Sequence, residues 1–408
     1  MSWQETEFGK VPSDWDYEPL ENYLDLITYG FTNPMPTTPS GVYMVTAKEI
    51  FNGRLNLGIA RFTSEEAYSE LLTDKSRPIK DDVLITKDGS IGRVAIVGDE
   101  KICISQSVAL MRPNKDRILP IFLKYLLESK QYQALIDIDA TGSTIQHIYI
   151  TKINLMKIAV PASLLEQKAI ASVLSSLDDK IDLLHRQNKT LEAMAETLFR
   201  QWFIEEAKED WEYVELGSVV ETSSGGTPSR KEMSYYESGS IHWVKSKELN
   251  GSFITETEEM ITDEAVKRSS AKLLPAYSTL IAMYGATVGE YALITKTMTC
   301  NQAVCALKEN EAYPYTFIFM YVKNQKDELI NQAVGSAQQN ISQILIKKLP
   351  IPTCIDRINE YHQLVNPWFK RMQLNVEQIQ TLENLRDTLL PKLMSGEVRV
   401  QYQTEEVA

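Results

Sequence analysis

The chain has 408 residues, of which 43% are hydrophobic, and a formal net charge of −13. This length predicts two or three domains with sizeable cores, and the acidic average argues against DNA binding unless local basic faces exist. The four cysteines show no CxxC spacing and the four histidines are scattered, which argues against a zinc site and a disulfide framework. No apolar run approaches a membrane span, so we expect a cytoplasmic protein.

Short β-rich runs and one helix are predicted in the first part of the chain. The runs are 42–46, 82–86, 92–97 and 107–112, and helical spacing follows over Leu119–Asp137. The scheme returns further along the chain, with strands predicted at 241–244, 279–283, 291–295 and 303–307 and a helix near Pro314–Ile330. Each part is therefore predicted to be a mixed α/β domain.

Several short sequences occur twice, in the same order along the chain. Residues 15–17 (Trp-Asp-Tyr) return 196 residues later as 211–213 (Trp-Glu-Tyr), and residues 190–192 return 191 residues later as 381–383 (Thr-Leu-Glu). Further pairs are 30 and 226, 105–108 and 301–304, and 141–148 and 334–341. A solenoid repeat is only roughly 20–50 residues long. The long period with two short deletions indicates a duplicated whole domain.

A heptad pattern follows each domain. Apolar residues recur at positions a and d over 174–202 and 365–389, which is typical of a coiled coil. Two separate amphipathic helices, each packed on its own domain, are the alternative. Asn366 and Pro367 are predicted to start the second helix and Pro391 to end it, since proline lacks the backbone donor.

Two asparagines within the heptad pattern predict the register. An antiparallel pairing places Asn188 opposite Asn375, and because a lone amide against hydrocarbon costs about 1–3 kcal/mol, pairing them fixes the register. The same register pairs Leu184 with Ile379 and Ala195 with Trp368. The apolar seam is about 33 Å long at ~1.5 Å per residue. One turn of B-DNA is about 34 Å, which suggests a spacer between two DNA-reading domains.

Four segments resemble the specificity (S) subunit of type I restriction–modification systems. They are 164–203, 211–229 (WEYVELGSVVETSSGGTPS), 272–294 (KLLPAYSTLIAMYGATVGEYALI) and 385–400 (LRDTLLPKLMSGEVRV). The resemblance covers essentially the whole chain and includes the order of the repeat. It implies α/β (α+β) target recognition domains in tandem, separated by two long helices that form an antiparallel coiled coil with pseudo-twofold symmetry. Each domain then reads one half of a split, asymmetric DNA site.

The resemblance also implies a division of the chain. Its parts are target recognition domain 1 (1–160), a first spacer helix region (161–207), target recognition domain 2 (208–352), a second spacer helix region (353–395) and a C-terminal tail (396–408). The implied partners are double-stranded DNA, two modification (methyltransferase) subunits docked on the spacer helices, and restriction/translocase subunits. S-adenosylmethionine and ATP are expected on those partners, and no cofactor on this chain.

Two other functions compete with this interpretation. A stand-alone DNA methyltransferase needs its own cofactor motif, and residues 366–369 (Asn-Pro-Trp-Phe) lack the second proline of the Asn-Pro-Pro-aromatic motif of amino-methyltransferases. No phosphate-binding P-loop sequence is present either. We therefore expect no catalytic residue. A coiled-coil adaptor that binds no DNA is the third possibility.

Candidate DNA contacts lie on polar, glycine-rich segments, which allow close backbone approach. Residues 87–93 and 284–290 each link two strands by such a turn, with a simple hairpin as the alternative. Gln106 and Gln302 begin matching strands, and a glutamine amide pairs bidentately with adenine unless it is buried on backbone groups. The candidates of these segments are Lys87, Ser90, Arg93, Gln106, Tyr284, Thr287 and Gln302.

The second domain adds two basic segments. Residues 225–231 form a loop with hydroxyls and two adjacent cations, and residues 243–247 are predicted to be a strand whose alternation places two lysines on one face. A solvated face is the alternative for both segments. The candidates are Thr227, Arg230, Lys231, Lys245 and Lys247.

Overall fold

The computed structural model describes residues 2–7, 9–142, 146–333 and 340–401. The chain divides into two compact units. Unit 1 comprises Met1–Lys180 and Leu382–Ala408, and unit 2 comprises Ile181–Thr381. Most of the predicted repeat pair 141–148 and 334–341, and the end of the predicted tail, lie outside the described residues.

Short strands and two long helices make up the chain. The strands are β1 (Trp3–Thr6), β2 (Gly9–Pro12), β3 (Trp15–Pro19), β4 (Leu24–Tyr29), β5 (Val42–Val45), β6 (Ile50–Phe51), β7 (Arg54–Leu55), β8 (Arg61–Thr63), β9 (Val83–Thr86), β10 (Val94–Ile96), β11 (Ile102–Ile104), β12 (Val108–Pro113), β13 (Lys157–Pro161), β14 (Tyr213–Glu215), β15 (Thr222–Ser224), β16 (Ile241–Val244), β17 (Phe253–Ile254), β18 (Met260–Ile261), β19 (Thr279–Ala282), β20 (Tyr291–Ile294), β21 (Thr299–Cys300), β22 (Val304–Leu307) and β23 (Pro350–Pro352). The helices are α1 (Glu65–Leu71), α2 (Pro120–Glu128), α3 (Lys130–Asp139), α4 (Ile150–Leu155), α5 (Leu164–Arg200), α6 (Leu216–Val219), α7 (Asp263–Lys267), α8 (Tyr315–Ala333), α9 (Gln343–Lys347) and α10 (Ile355–Met394).

The central sheet of unit 1 has the strand order β10-β9-β12-β4, and its neighbours are antiparallel. A second sheet, β11-β5-β8, contains the parallel pair β11 and β5. Val83 and Ile85 of β9 pack with residues of α2, whereas Leu84 packs with residues of the second sheet. Because alternate side chains are buried on opposite faces, β9 is a continuous apolar run instead of an alternating one.

Unit 2 repeats this layering. Its larger sheet has the order β15-β22-β19-β20-β17, and its second sheet, β18-β16-β21, again contains one parallel pair, β16 and β21. Ile281 of β19 belongs to the cluster that contains α8, whereas Leu280 belongs to the cluster between the sheets. The two units therefore share one architecture, as the sequence repeat predicts.

The helix predicted over Leu119–Asp137 is wrong in one respect, because two helices, α2 and α3, occupy the segment. Ser129 separates them with an extended backbone, φ −66° and ψ 144°. Its hydroxyl donates to the carbonyl of Leu126 at 2.8 Å and is buried. Serine competes with helical hydrogen bonds in this way, so the chain turns between two short helices instead of continuing one.

The predicted start at Asn366-Pro367 and end at Pro391 are also wrong, since α10 is continuous through both prolines. A proline inside a helix costs about 3 kcal/mol. Tyr361, Val365 and Phe369 are fully buried in the core of unit 2. Burial of each large apolar side chain contributes roughly 1.5–3 kcal/mol, so the packing around Pro367 outweighs the missing hydrogen bond.

The long helices run antiparallel within each unit. In unit 2, Tyr361 donates to the carbonyl of Ala195 at 2.9 Å. In unit 1, Arg386 donates to Asp178 at 3.1 Å and Arg399 donates to Glu166 at 2.8 Å. Residue numbers rise along α5 while their partners' numbers fall. These contacts between α5 and the C-terminal part of the chain exclude the alternative of two helices that each pack only on their own domain.

Candidate nucleic-acid interface

Three segments of unit 1 leave the central sheet at one edge. Strand β9 ends at Thr86, which lies opposite Val108 at the start of β12, and β4 ends at Tyr29 beside β12. The turn after β9 and the segment before β12 therefore lie together. This edge brings together the candidates Lys87, Ser90, Arg93 and Gln106.

The turn after β9 is built on two glycines with left-handed backbones, Gly89 at φ 78° and Gly92 at φ 80°. Gly92 donates from its backbone to the carbonyl of Thr86 at 2.9 Å and closes the turn. A Cβ on Gly89 would meet no atom within 4 Å. Glycine is therefore required at Gly89 by its backbone conformation, and open space remains in front of it for a ligand.

Lys87 does not point freely to solvent. Its ammonium lies 3.1 Å from Asp88 and 5.3 Å from the ring centroid of Tyr29, and 9% of its side chain is exposed. Asp88 in turn bonds to Nδ1 of His147. A phosphate contact by Lys87 would require the ammonium to leave both of its partners.

The other candidates of unit 1 are more accessible. Ser90 and Gln106 are exposed, and Arg93 is half-buried with its guanidinium 5.5 Å from the ring centroid of Phe51. Gln106 is fixed through its backbone, which donates to the carbonyl of Phe31 at 2.8 Å. Ser90 and Gln106 therefore face outward on a fixed backbone.

Unit 2 builds the same turn with one extra residue. Gly285 and Gly289 have φ values of 89° and 81°, and Gly289 donates to the carbonyl of Ala282 at 2.9 Å. Isolated β-bridges join Tyr284 to Asn340 in unit 2 and Asp88 to His147 in unit 1. Tyr284 therefore corresponds to Asp88. The sequence segments 87–93 and 284–290, which begin at Lys87 and Tyr284, are thus out of register by one residue at their start.

A second pair of the predicted repeat shifts in the same way. Gly30 donates to the carbonyl of Val108, whereas Gly225 donates to that of Val304. The structural partner of Gly30 is thus Gly225 and not Gly226. Unit 2 therefore has one residue fewer than unit 1 before this glycine. The deletion cannot be recognised from the sequence because Gly225 and Gly226 are adjacent.

Tyr284, Gln302 and Thr227 form one cluster at the sheet edge of unit 2. The hydroxyl of Tyr284 donates to the carbonyl of Gln302, and the hydroxyl of Thr227 donates to the side-chain oxygen of the same glutamine. Burial raises the pKa of Tyr284 above its usual value, so the hydroxyl stays protonated as a donor. Thr287 lies half-buried on the turn nearby.

The basic segments of unit 2 are largely neutralised by Glu259 and by Glu258, which lies 2.7 Å from Lys245. Arg230 donates to Glu259 at 2.5 Å, and Lys245 lies 2.8 Å from it. Hydrogen bonds from Arg230, and then from Lys245, lower the pKa of Glu259 to about 2. Arg230 also lies over the rings of Tyr236 and Trp243. Lys231 is exposed and has no ion pair within the described part of the chain.

The prediction that Lys245 and Lys247 share one strand face is wrong. Strand β16 ends at Val244, and both lysines lie on the tight turn that follows. Lys245 is 14% exposed, whereas Lys247 is 60% exposed and lies 2.6 Å from Glu258. The alternation of a strand does not continue into the turn, so the two side chains have different surroundings.

Asp88, His147 and Glu259 were not predicted as parts of the interface. The signal for His147 was present, because it matches Asn340 at an offset of 193 residues. Glu259 lay too far from Arg230 and Lys245 in sequence for their ion pairs to be expected.

The predicted register residues of the long helices lie in unit 2. Asn375 donates from Nδ2 to Oδ1 of Asn188 at 2.8 Å. Leu184 and Ile379 are buried. Ala195 is fully buried and belongs to the same apolar cluster as the half-buried Trp368.

Over residues 2–7, 9–142, 146–333 and 340–401, no group of three or more acidic, histidine or cysteine side chains has the geometry of a metal site. Within those ranges no helix combines the length and apolar character that crossing a bilayer demands.

A family model described as the type I restriction modification DNA specificity domain matches residues 24–193 and 208–361. The chain belongs to this family. It is 28% identical to the specificity subunit of the type I restriction enzyme MjaIX from Methanocaldococcus jannaschii, with 98% of this chain and 96% of that one covered. It is 24% identical to the putative MjaX specificity subunit of the same organism, over 98% and 97% of the two chains.

A solved structure agrees with the fold. The crystal structure of a type I restriction–modification S subunit from M. genitalium superposes with a TM-score of 0.62 at 19% identity, covering 97% of each chain. The two family matches in tandem confirm the predicted family, and this superposition confirms the predicted α+β fold with its long helices. DNA recognition by two specificity domains is what membership of the family implies.

Proposed function

We propose that this chain is the DNA-reading subunit of a type I restriction–modification complex. Each unit then recognises one half of a bipartite, asymmetric DNA site. The observation that carries the proposal is that both units build one sheet edge and one glycine turn, yet place different side chains there. Asp88 and Arg93 of unit 1 stand where unit 2 has Tyr284 and Glu290. Two domains with the same backbone conformation and different side chains at this edge are suited to recognising two different DNA sequences.

Catalysis belongs to other subunits in this proposal. Two modification (methyltransferase) subunits bind S-adenosylmethionine and transfer the methyl group, and restriction/translocase subunits bind ATP. This chain binds neither cofactor and positions the others on double-stranded DNA. The names of the two relatives, both specificity subunits of type I restriction enzymes, support a reading role for this chain.

The long helices offer docking surfaces for two copies of one partner. Leu183 and Met194 of α5 are exposed, and 191 residues later Leu374 and Leu385 of α10 are exposed as well. Exposed large apolar side chains that recur at the period of the repeat suit two equivalent protein partners. The same helices would set the distance between the half-sites, through their fixed rise of about 1.5 Å per residue.

The proposal is tested by producing the chain together with its modification subunits and sequencing the methylated DNA. We expect one split, asymmetric motif. Exchange of residues 1–160 for those of another family member should change one half of the motif only, and insertion of one heptad into both helices should lengthen the spacer or abolish assembly. Methylation by the chain alone would support a stand-alone methyltransferase. If the subunits are folded but the methylated sites share no sequence motif, the chain does not recognise a DNA sequence. The coiled-coil adaptor would then remain as the alternative.

A further inference from the structure

Each unit contains a second repeated turn, which lies beside the glycine turn. Residues 45–50 read Val-Thr-Ala-Lys-Glu-Ile, and residues 244–249 read Val-Lys-Ser-Lys-Glu-Leu. Both follow a strand of the parallel pair, since Val45 lies opposite Ile104 and Val244 opposite Cys300. We call residues 46–49 and 245–248 the lysine turns.

The two lysine turns share a specific hydrogen bond. The carboxylate of Glu49 accepts from the backbone N–H of Thr46 at 2.7 Å. In unit 2, the carboxylate of Glu248 accepts from the backbone N–H of Lys245, also at 2.7 Å. Because the glutamate carboxylate closes the turn by this hydrogen bond to the backbone, the glutamate has a structural role. The side chain of the lysine before it, Lys48 or Lys247, takes no part in this closure.

The lysine turn touches the same strand connection as the glycine turn. In unit 1, the hydroxyl of Ser107 accepts from the backbone of Ala47 at 3.1 Å, while its carbonyl accepts from the backbone of Lys87 at 2.8 Å. In unit 2, Asn301 donates to the carbonyl of Val244 at 2.9 Å, and Met283 donates to that of Ala303 at 2.7 Å. Both turns therefore lie on the sheet edge that carries the candidate reading residues.

Lys48 and Lys247, at the third position of the two lysine turns, are both exposed. Lys48 forms no ion pair with any residue that the structure describes, and Lys247 forms one solvent-exposed pair with Glu258. Exposed ion pairs contribute little to stability, so a phosphate can replace Glu258. The side chains of the glycine turns differ between the units, whereas this cation stays at the same place.

We propose that Lys48 and Lys247 bind backbone phosphates of the DNA, one in each half-site, and orient each unit independently of the base sequence. This inference rests on the proposed function. Phosphates are the same in both halves of an asymmetric site while the bases differ. A cation common to two divergent readers is therefore expected at phosphates, and the residues that differ are expected at bases.

The test uses Lys48→Gln, Lys247→Gln and the double variant, each assembled with the modification subunits. Lys80→Gln is the matched control, because Lys80 is exposed but precedes β9 at the opposite edge of the sheet. Binding is measured over roughly 50 to 200 mM salt on a duplex with the methylated motif and on a scrambled duplex. One phosphate contact contributes about 0.9 to the slope of log K against log salt.

We expect each single variant to lose about 0.9 of that slope and the double variant about 1.8, equally on both duplexes and with an unchanged methylation motif. Lys48→Gln should weaken binding more, since Lys247 must first leave Glu258. Lys48→Arg should keep the slope. Slopes like that of Lys80→Gln, or an altered motif, would overturn the inference. Failure of the proposed function would be visible separately, as a wild-type complex without preference for the motif duplex.

Discussion

Asn375 of α10 donates a hydrogen bond of 2.8 Å to the side-chain oxygen of Asn188 on α5. Asn375 is 1% exposed, and Asn188 also donates to the carbonyl of Met372 at 3.3 Å. An amide pair in an otherwise apolar helix contact favours one register, because any shift would leave both amides against hydrocarbon. The asparagine pair thus lowers the stability of the helix contact somewhat but defines the register of α5 against α10.

Replacement of one asparagine should cost more than replacement of both. Asn375→Leu leaves the Asn188 oxygen without its donor, and we expect a loss of about 1–3 kcal/mol in the free energy of unfolding. In Asn188→Leu/Asn375→Leu both polar groups are gone, so stability should return to the wild-type value or exceed it. Denaturant unfolding of the full chain measures both. Equal losses in the single and double variants would argue against the pair as the cause.

The contact between a domain helix and the long helices differs in chemistry between the units. In unit 1, Lys124 of α2 lies 3.7 Å from Asp178, which also accepts from Tyr125 at 2.8 Å. At the equivalent positions of unit 2, the rings of Phe319 and Phe369 pack edge to face with centroids 5.7 Å apart. The contact is ionic in unit 1 and aromatic in unit 2.

This difference predicts a different response to salt. Asp178→Asn should destabilise unit 1 by roughly 1.5–3 kcal/mol, the range for a hydrogen bond to a charged group, because Lys124 keeps Glu128 at 3.0 Å and is not left unpaired. Phe369→Ala should cost about 3–5 kcal/mol through the cavity it leaves. Unfolding in about 0.1 M and about 1 M NaCl separates them, since screening should reduce the first loss only. A loss from Phe369→Ala that shrinks equally in high salt would contradict the assignment.

Most secondary structure was predictable because buried strands and heptad helices leave strong sequence patterns. The break at Ser129 was not predictable, since one serine decides it by a local hydrogen bond. The continuity of α10 through Pro367 was missed for the opposite reason, as tertiary burial outweighs a local penalty. Sequence patterns report local preference, and both errors arise where a specific contact opposes that preference.

The site was predictable in place but not in detail. The glycine turns and Gln302 were recognised as lying at strand ends, and the structure brings them to one edge. That Lys87 is held by Asp88 requires knowledge of the turn's conformation. Lys245 and Lys247 were predicted, but the matching turn of unit 1 was missed, because its offset of 199 residues differs from that of the neighbouring matches and only three of six residues are identical.

Glu259 should make unit 2 sensitive to acid. Its pKa is about 2 in the folded chain against an ordinary value of 4.5. The ionised form is thus stabilised by folding, so the contribution is present above about pH 4.5 and is lost as pH falls towards about 2. Glu259→Gln should flatten the pH dependence of unfolding in this window. Glu237→Gln, at an exposed carboxylate, is the control and should leave the profile unchanged.

Glu259→Gln should also strengthen DNA binding. Without the carboxylate, Arg230 loses its ion-pair partner and Lys245 keeps only Glu258, at 2.7 Å, so both cations become more available to phosphates. We expect higher affinity of the assembled complex for cognate and scrambled duplexes alike, with a steeper salt dependence. Binding titrations at two salt concentrations measure this. Unchanged affinity would mean that both cations face away from the DNA.

Thr227 should control base preference through Gln302. The threonine hydroxyl donates to the glutamine oxygen and so fixes the amide at the sheet edge, and no described residue accepts from its N–H donors. Gln106 of unit 1 is exposed, and no hydrogen bond to its side chain occurs among the described residues. Thr227→Val keeps the shape but removes the donor. We expect a relaxed base preference in the half-site that unit 2 reads, because the amide can rotate and exchange donor for acceptor.

The readout is the methylation motif of the assembled complex, with one wrong base pair normally costing about 1–3 kcal/mol. Gln302→Ala should relax the same motif position as Thr227→Val, and Gln106→Ala should affect only the other half. Thr227→Ser retains the hydroxyl and should keep the wild-type motif. If Thr227→Val lowers affinity without changing the motif, the threonine supports the fold of the loop and does not orient the amide.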